Sequence, residues 1–178
     1  MAATSVPSQA VEYAAAALAQ LVAEGQTLAS AESLTGGLVG AAITSVPGAS
    51  AAYVGGVLSY ATRIKAELLG VDDALVAEHG VVSEECAAAM AQGVRVHAGA
   101  DWGVATTGVA GPDLQEGKPA GQVHVAVAGP DTVRTRTLQL AGDRREIRES
   151  TVTAVLQLLV ETLGVVSPEA EGEVEARE

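Results

Sequence analysis

Residues 27–48 constrain the fold more than any other stretch of the chain. Thr27-Leu28-Ala29-Ser30 reads as a short strand, and Ala31-Glu32-Ser33-Leu34-Thr35-Gly36-Gly37 follows it as a junction. A helix is predicted over 35–46, with Leu38, Val39, Ala42, Ile43 and Val46 on one face and Pro47-Gly48 as its stop. A serine at such a junction lies at a helix N-terminus, where unpaired N–H groups and the helix dipole favour negative charge. Two glycines let another molecule approach that backbone closely. An enzyme places a nucleophile and its oxyanion donors in such a turn. The same residues also suit a plain helix cap, because Ser33 and Thr35 are both of capping type.

The rest of the chain alternates helices and strands. Val11, Ala15, Leu18 and Leu21/Val22 make a helical stripe over 8–24, ended by Gly25. Tyr53 to Tyr60 reads as a strand weakened by Gly55-Gly56, which suggests a bulge or close packing. Short helices are predicted over 62–69, ended by Gly70, and over 73–78. Ser83 caps a long helix with Glu84 and Glu85 in its first turn and Cys86, Met90, Gly93/Val94 and His97 along one face. Strands are expected over 102–107, 122–128 and 133–140, the last two joined as a hairpin by Gly129-Pro130-Asp131. Asp143 to Glu146 forms a capping box that opens the final helix. This order implies one three-layer α/β/α sandwich over residues 1–165, with a mixed sheet because the hairpin is antiparallel. The segment 166–178 is acidic, with almost nothing to bury, and reads as a disordered tail.

Composition narrows the function classes. At 178 residues with 48% hydrophobic content, the chain can bury a real core. Phe is absent, and Trp102, Tyr13, Tyr53 and Tyr60 are the only aromatics, so a stacking surface for single-stranded nucleic acid cannot be built. A net charge of −12 opposes sequence-independent binding to phosphate backbones, though a small phosphorylated ligand can still be held locally. Cys86 stands alone and no signal peptide or membrane-length apolar run occurs, so a cytoplasmic protein without a membrane partner is expected. Three scattered His and one Cys have no metal-ligand spacing, and His79, His97 and His124 read as structural. A homo-oligomer is the expected assembly.

Three further segments can carry chemistry. Tyr60 to Lys65 spans a strand end and a helix start; a lysine there acts as a general base only if its pKa falls from ~10.4 to about 7–8. Thr106 to Pro112 ends a strand, and Gly108 and Gly111 free backbone N–H groups for an anion nest. It matches neither a P-loop nor a dinucleotide fingerprint. Arg144 opens the last helix and can hold a phosphate or carboxylate, whereas Arg145 reads as a solvated helix end.

Taken together, Glu32-Ser33-x-Thr35-Gly36-Gly37, Tyr60…Lys65 with Leu69-Gly70-Val71, His79-Gly80-x-Val82-Ser83, Thr107-Gly108-x-Ala110-Gly111-Pro112, Lys118-Pro119-x-Gly121 and Gly142-Asp143-Arg144 resemble the CinA C-terminal-domain family. The resemblance covers about residues 8–163. It implies an α/β/α fold, no metal or other cofactor, and hydrolysis of nicotinamide mononucleotide to nicotinate mononucleotide and ammonia. The length suggests the stand-alone form of the family. By position, Ser33 matches the nucleophile, Lys65 the general base and Tyr60 the tyrosine that assists them. The implied mechanism has N–H groups near Thr35 and Gly36 holding the oxyanion. Thr107, Gly108, Gly111 and Arg144 are the candidates for binding the nucleotide substrate. Ala61-Thr62 replaces the usual Ser-Asn, which changes reach and donor number beside the pair. Leu34 replaces a frequent Cys, a change of packing. The competing readings are a nucleotide-binding regulatory domain without turnover and an amidase for another small amide.

Overall fold

A computed structural model describes residues 6–165. The predicted tail therefore lies outside the described residues. Five strands are hydrogen-bonded in the order β2-β1-β3-β4-β5: β1 (Leu28–Glu32), β2 (Tyr53–Leu58), β3 (Trp102–Gly108), β4 (Gln122–Ala128) and β5 (Val133–Gln139). β1 runs parallel to both neighbours, and β4 and β5 are antiparallel. The fold is the expected α/β/α sandwich with a mixed sheet.

One face of the sheet packs against α1 (Ser8–Glu24), α2 (Leu38–Thr44) and α6 (Arg144–Leu163), in a core that includes Tyr13, Leu21, Leu28, Ile43, Val125 and Leu156. The other face packs against α5 (Glu84–Ala98), with α3 (Thr62–Leu69) and α4 (Asp73–His79) alongside. Every residue of β1 and β3 is buried, because both strands lie between two helical layers. Lacking Phe, the core closes by near approach of backbones. A Cβ on Gly93 of α5 would lie 1.9 Å from the Leu69 carbonyl oxygen of α3.

Predicted helix ends agree with the structure where a cap defines them. Gly25 and Gly70 end α1 and α3 in the left-handed conformation, Ser83 accepts from Cys86 N–H, and the Asp143/Glu146 capping box is complete. A bulge sits in β2 beside Gly55, where the register to β1 shifts. Three expectations fail. Ala15 and Val22 of the α1 stripe are exposed, because the buried face of α1 runs through Ala10, Tyr13, Ala14, Ala17, Leu18 and Leu21. His97 is exposed, because the buried stripe of α5 runs through Cys86, Ala87, Met90, Ala91 and Val94. α2 begins at Leu38 rather than at 35, so a turn over 34–37 separates β1 from the helix. Among the described residues, no helix is long and apolar enough to cross a membrane.

Candidate active site

The three parallel strands end together, and the loops after them meet. Ser33 follows β1, Ser59 and Tyr60 follow β2, and Val109 to Gly111 follow β3. Crevices at the carboxyl ends of parallel strands are the usual ligand sites of open α/β sheets. Here Ser33, Leu34, Tyr60, Gly108, Val109, Ala110, Gly111, Asp113, Leu114, Gln115 and Arg144 line a cavity of about 270 Å³. That is near the small end of ligand pockets, roughly 300–1,000 Å³.

Glu32 fixes the turn that carries Ser33. Its buried carboxylate accepts from Thr35 Oγ1 at 2.7 Å and from the N–H groups of Gly37, Val39 and Gly40 at 2.9, 3.1 and 2.9 Å. The N-terminus of α2 is thus satisfied by an internal anion, and neither Ser33 nor Thr35 caps it. Thr35 is wholly buried and also shares a 2.8 Å hydrogen bond with Thr106.

Within this turn, Ser33 N–H donates to Thr106 O and Gly36 N–H to Ser33 O. Gly36 N–H is therefore committed, which corrects its assignment as an oxyanion donor: the serine's own carbonyl takes it. Leu34 and Thr35 N–H have no acceptor among the described residues; Leu34 lines the cavity, whereas Thr35 is wholly buried and does not, which corrects its placement among the oxyanion donors.

Lys65 comes from the opposite layer. It lies in the second turn of α3, is 1% exposed, and brings Nζ 3.1 Å from Ser33 Oγ. Its other partners are two backbone carbonyls, Ser59 O at 2.5 Å and Tyr60 O at 3.5 Å. Burial pushes its pKa below the ordinary lysine value, opposed by interactions with Cys86 and Glu116. Cys86 is buried nearby, and desolvation pushes its thiol up to about 11, so it offers no thiolate to compete with the serine.

Arg144 donates Nη1 to Gly111 O at 2.9 Å and Nη2 to Tyr60 Oη at 3.3 Å. It leaves the first turn of α6 and reaches the cavity wall, while Arg145, read as a solvated helix end, is half-buried and pairs with Glu149 and Glu146. The Tyr60 hydroxyl shares the cavity with Ser33 but is hydrogen-bonded to Arg144, not to the serine–lysine pair. Ala110 and Gly111 N–H have no acceptor among the described residues. Thr107 does not line the cavity. Its hydroxyl donates to Val81 O from a buried position, which makes it a structural tie and corrects its placement among the binding residues. Thr62 is exposed at the start of α3 and its side chain has no hydrogen bond among the described residues, so the Asn-to-Thr difference falls outside the serine–lysine contact. Leu34 packs with Ala110, Val123 and Ile147.

Several neighbours of the site were given no role from the sequence. Glu116 accepts from Val81 and Val82 N–H, and Lys118 donates to Val82 O, which together hold the 111–121 loop over the cavity. Arg148, one turn after Arg144, donates to Leu34 O and Thr35 O. Its four-residue spacing from Arg144 on a helix was the available signal. A charged Glu32 inside a strand pattern was another. His124 is buried on β4 with Nδ1 on Thr137 Oγ1 at 2.9 Å, in the structural role expected of it.

Fold and site together define a class: single-domain α/β/α proteins with a serine–lysine pair at the carboxyl edge of a mixed sheet. The chain belongs to the CinA C-terminal-domain family, whose profile matches residues 10–163. It is 55% identical over 142 residues to a CinA-like protein of Frankia casuarinae, covering 80% of this chain and 33% of that one. It is 46% identical over 138 residues to a putative competence-damage inducible protein of Desulforamulus reducens, covering 78% and 34%. The chain thus spans about a third of the length of these relatives. Among solved structures, a CinA-superfamily protein of Klebsiella pneumoniae matches with TM-score 0.83 and 33% identity, over 87% of this chain and 98% of that one. The competence/damage inducible protein CihA of Agrobacterium tumefaciens matches with TM-score 0.85 and 32% identity, over 92% and 99%.

Proposed function

We propose that this protein is an amidohydrolase that converts nicotinamide mononucleotide to nicotinate mononucleotide and ammonia through a serine acyl-enzyme. The observation that carries the reading is the 3.1 Å contact between Ser33 Oγ and the buried Lys65 Nζ. A neutral amine has two N–H donors and one lone pair. With Ser59 O and Tyr60 O accepting the two N–H groups, the lone pair is left for the Ser33 hydroxyl.

Lys65 takes the Ser33 proton as Oγ bonds to the carboxamide carbon, and the carbonyl oxygen becomes an oxyanion. The unpartnered N–H of Leu34, a residue of the cavity wall, suits that oxyanion. The proton on Lys65 passes to the nitrogen as the C–N bond breaks and ammonia leaves. Water then adds to the acyl ester, giving the carboxylate and restoring Ser33. The cavity's charges match the substrate's ends. Arg144 and the free Ala110 and Gly111 N–H groups suit the phosphate, while Asp113 suits the cationic pyridinium ring.

The test is ammonia release from the mononucleotide, with free nicotinamide as control. Ser33→Ala is expected to keep the fold, losing one hydrogen bond to Lys65 at ~1 kcal/mol, and to lose activity by several orders of magnitude. A folded Ser33→Ala protein that keeps a tenth of the wild-type rate refutes the acyl-enzyme.

A further inference from the structure

Arg148 reaches the nucleophile turn from 113 residues away in sequence. Its Nε donates to Leu34 O at 2.9 Å and its Nη2 to Thr35 O at 2.8 Å. Arg63, Arg136 and Arg145 pair with carboxylates, whereas Arg148 has no ion-pair partner among the described residues. Half-buried guanidinium groups usually find an acid. This one is spent on two successive carbonyls of one turn. Gly36 makes room for it, since a Cβ there would sit 3.2 Å from Arg148 Nη2 and the backbone φ is +59°.

The consequence follows from peptide geometry. A trans peptide is planar, so its C=O and N–H point in opposite directions. Holding Leu34 O on Arg148 aims Thr35 N–H away from Arg148. Holding Thr35 O on Arg148 aims Gly36 N–H, which donates to Ser33 O at 3.2 Å. Ser33 O held in that way fixes the peptide whose other end is Leu34 N–H, at the cavity wall. The cation therefore acts on both unpartnered donors, directly through one peptide and by a two-peptide relay through the other. Each hydrogen bond to a carbonyl also polarises its peptide and strengthens the N–H at the far end.

We propose that Arg148 is a positioning residue for acyl transfer, locking and polarising the Leu34–Gly36 turn so that Leu34 N–H receives the oxyanion. This role rests on the serine acyl-enzyme reading above. Arg148 does not line the cavity, so its contribution belongs to the transition state and not to substrate binding.

The experiment measures kcat and KM for ammonia release in Arg148→Ala and Arg148→Lys, with and without tens of millimolar guanidinium chloride, circular dichroism confirming the fold. Losing control of an oxyanion donor typically costs about 10²–10³ in kcat. The expected result is a kcat loss approaching that range, KM within about threefold of wild type, and partial recovery of Arg148→Ala by guanidinium. The same salt must not revive Ser33→Ala. Arg148→Lys keeps a charge but cannot serve two carbonyls in fork geometry, so it stays impaired and carries the test if the Ala variant does not fold. A folded variant with wild-type kcat, a loss expressed in KM, or a folded Arg148→Ala that guanidinium leaves unchanged overturns the role. A wild-type protein that releases no ammonia overturns the acyl-transfer reading itself, and this role with it; an active wild type with an indifferent Arg148 overturns only the latter.

Discussion

Glu32→Gln isolates the anion that the fold has built into its own site. Oε2 of Glu32 accepts from Thr35 Oγ1, Gly37 N–H and Val39 N–H, and Oε1 accepts from Gly40 N–H. An amide in the same place has one acceptor oxygen and an NH₂ group that only donates. Its best orientation keeps oxygen at the three-bond position and turns NH₂ toward Gly40 N–H, donor against donor. One charge-assisted hydrogen bond is lost, about 1.5–3 kcal/mol, and the remaining ones lose their charge. The attraction between the carboxylate and the N-terminus of α2 disappears as well, about 0.3–1 kcal/mol and more where partly buried. The sum is about 2–4 kcal/mol. Urea unfolding at neutral pH reads it directly. At an m-value of about 2 kcal/mol/M, the midpoint should fall by about 1–2 M with m unchanged. Glu67→Gln, on an exposed residue paired with Arg63, is the control and should move stability by no more than about 0.5 kcal/mol. A Glu32→Gln loss below about 1 kcal/mol would refute the argument that this carboxylate holds the nucleophile turn.

Two further outcomes bear on the chemistry. Lys65 must be neutral to take a proton, and its pKa is depressed by burial, so kcat should rise with pH through a value below the ordinary ~10.4. Between that folded value and the unfolded one, the unfolded chain holds more protons, so this lysine's contribution to stability also rises with pH. Lys65→Arg, which stays charged, should abolish turnover; wild-type kcat in that variant, or a wild-type kcat that climbs as pH falls, would eliminate Lys65 as the base. Arg144→Ala should raise KM for the mononucleotide by the equivalent of a lost charged hydrogen bond, ~1.5–3 kcal/mol, with little effect on the dephosphorylated riboside. Equal penalties on both substrates would show that Arg144 does not read the phosphate.

The elements of this protein were legible because their signals are local. A glycine stop ends α1 and α3, and a serine or aspartate cap starts α5 and α6, within a few residues of chain. The Ser33 and Lys65 assignments came from ordered motifs resembling a family, and the structure brings those side chains into contact across 32 residues. Local signals failed where a distant group takes over a local job. The start of α2 was misplaced because its N–H groups are met by a side chain from the preceding strand, not by a cap of its own. Gly36 was read as a donor because the sequence does not show which carbonyl its N–H will meet. Thr107 was read as a ligand group because only the tertiary fold brings Val81, in the loop before α5, beside it. What the sequence by itself determined is periodicity, capping and the charged residues that must find partners. Only the tertiary structure decided which partners they found: it buries Lys65 against two carbonyls and a hydroxyl, and it sends Arg148 to the turn beside Ser33. Such pairings depend on the order in which strands assemble and on the desolvation that follows, and neither is a property of neighbouring residues.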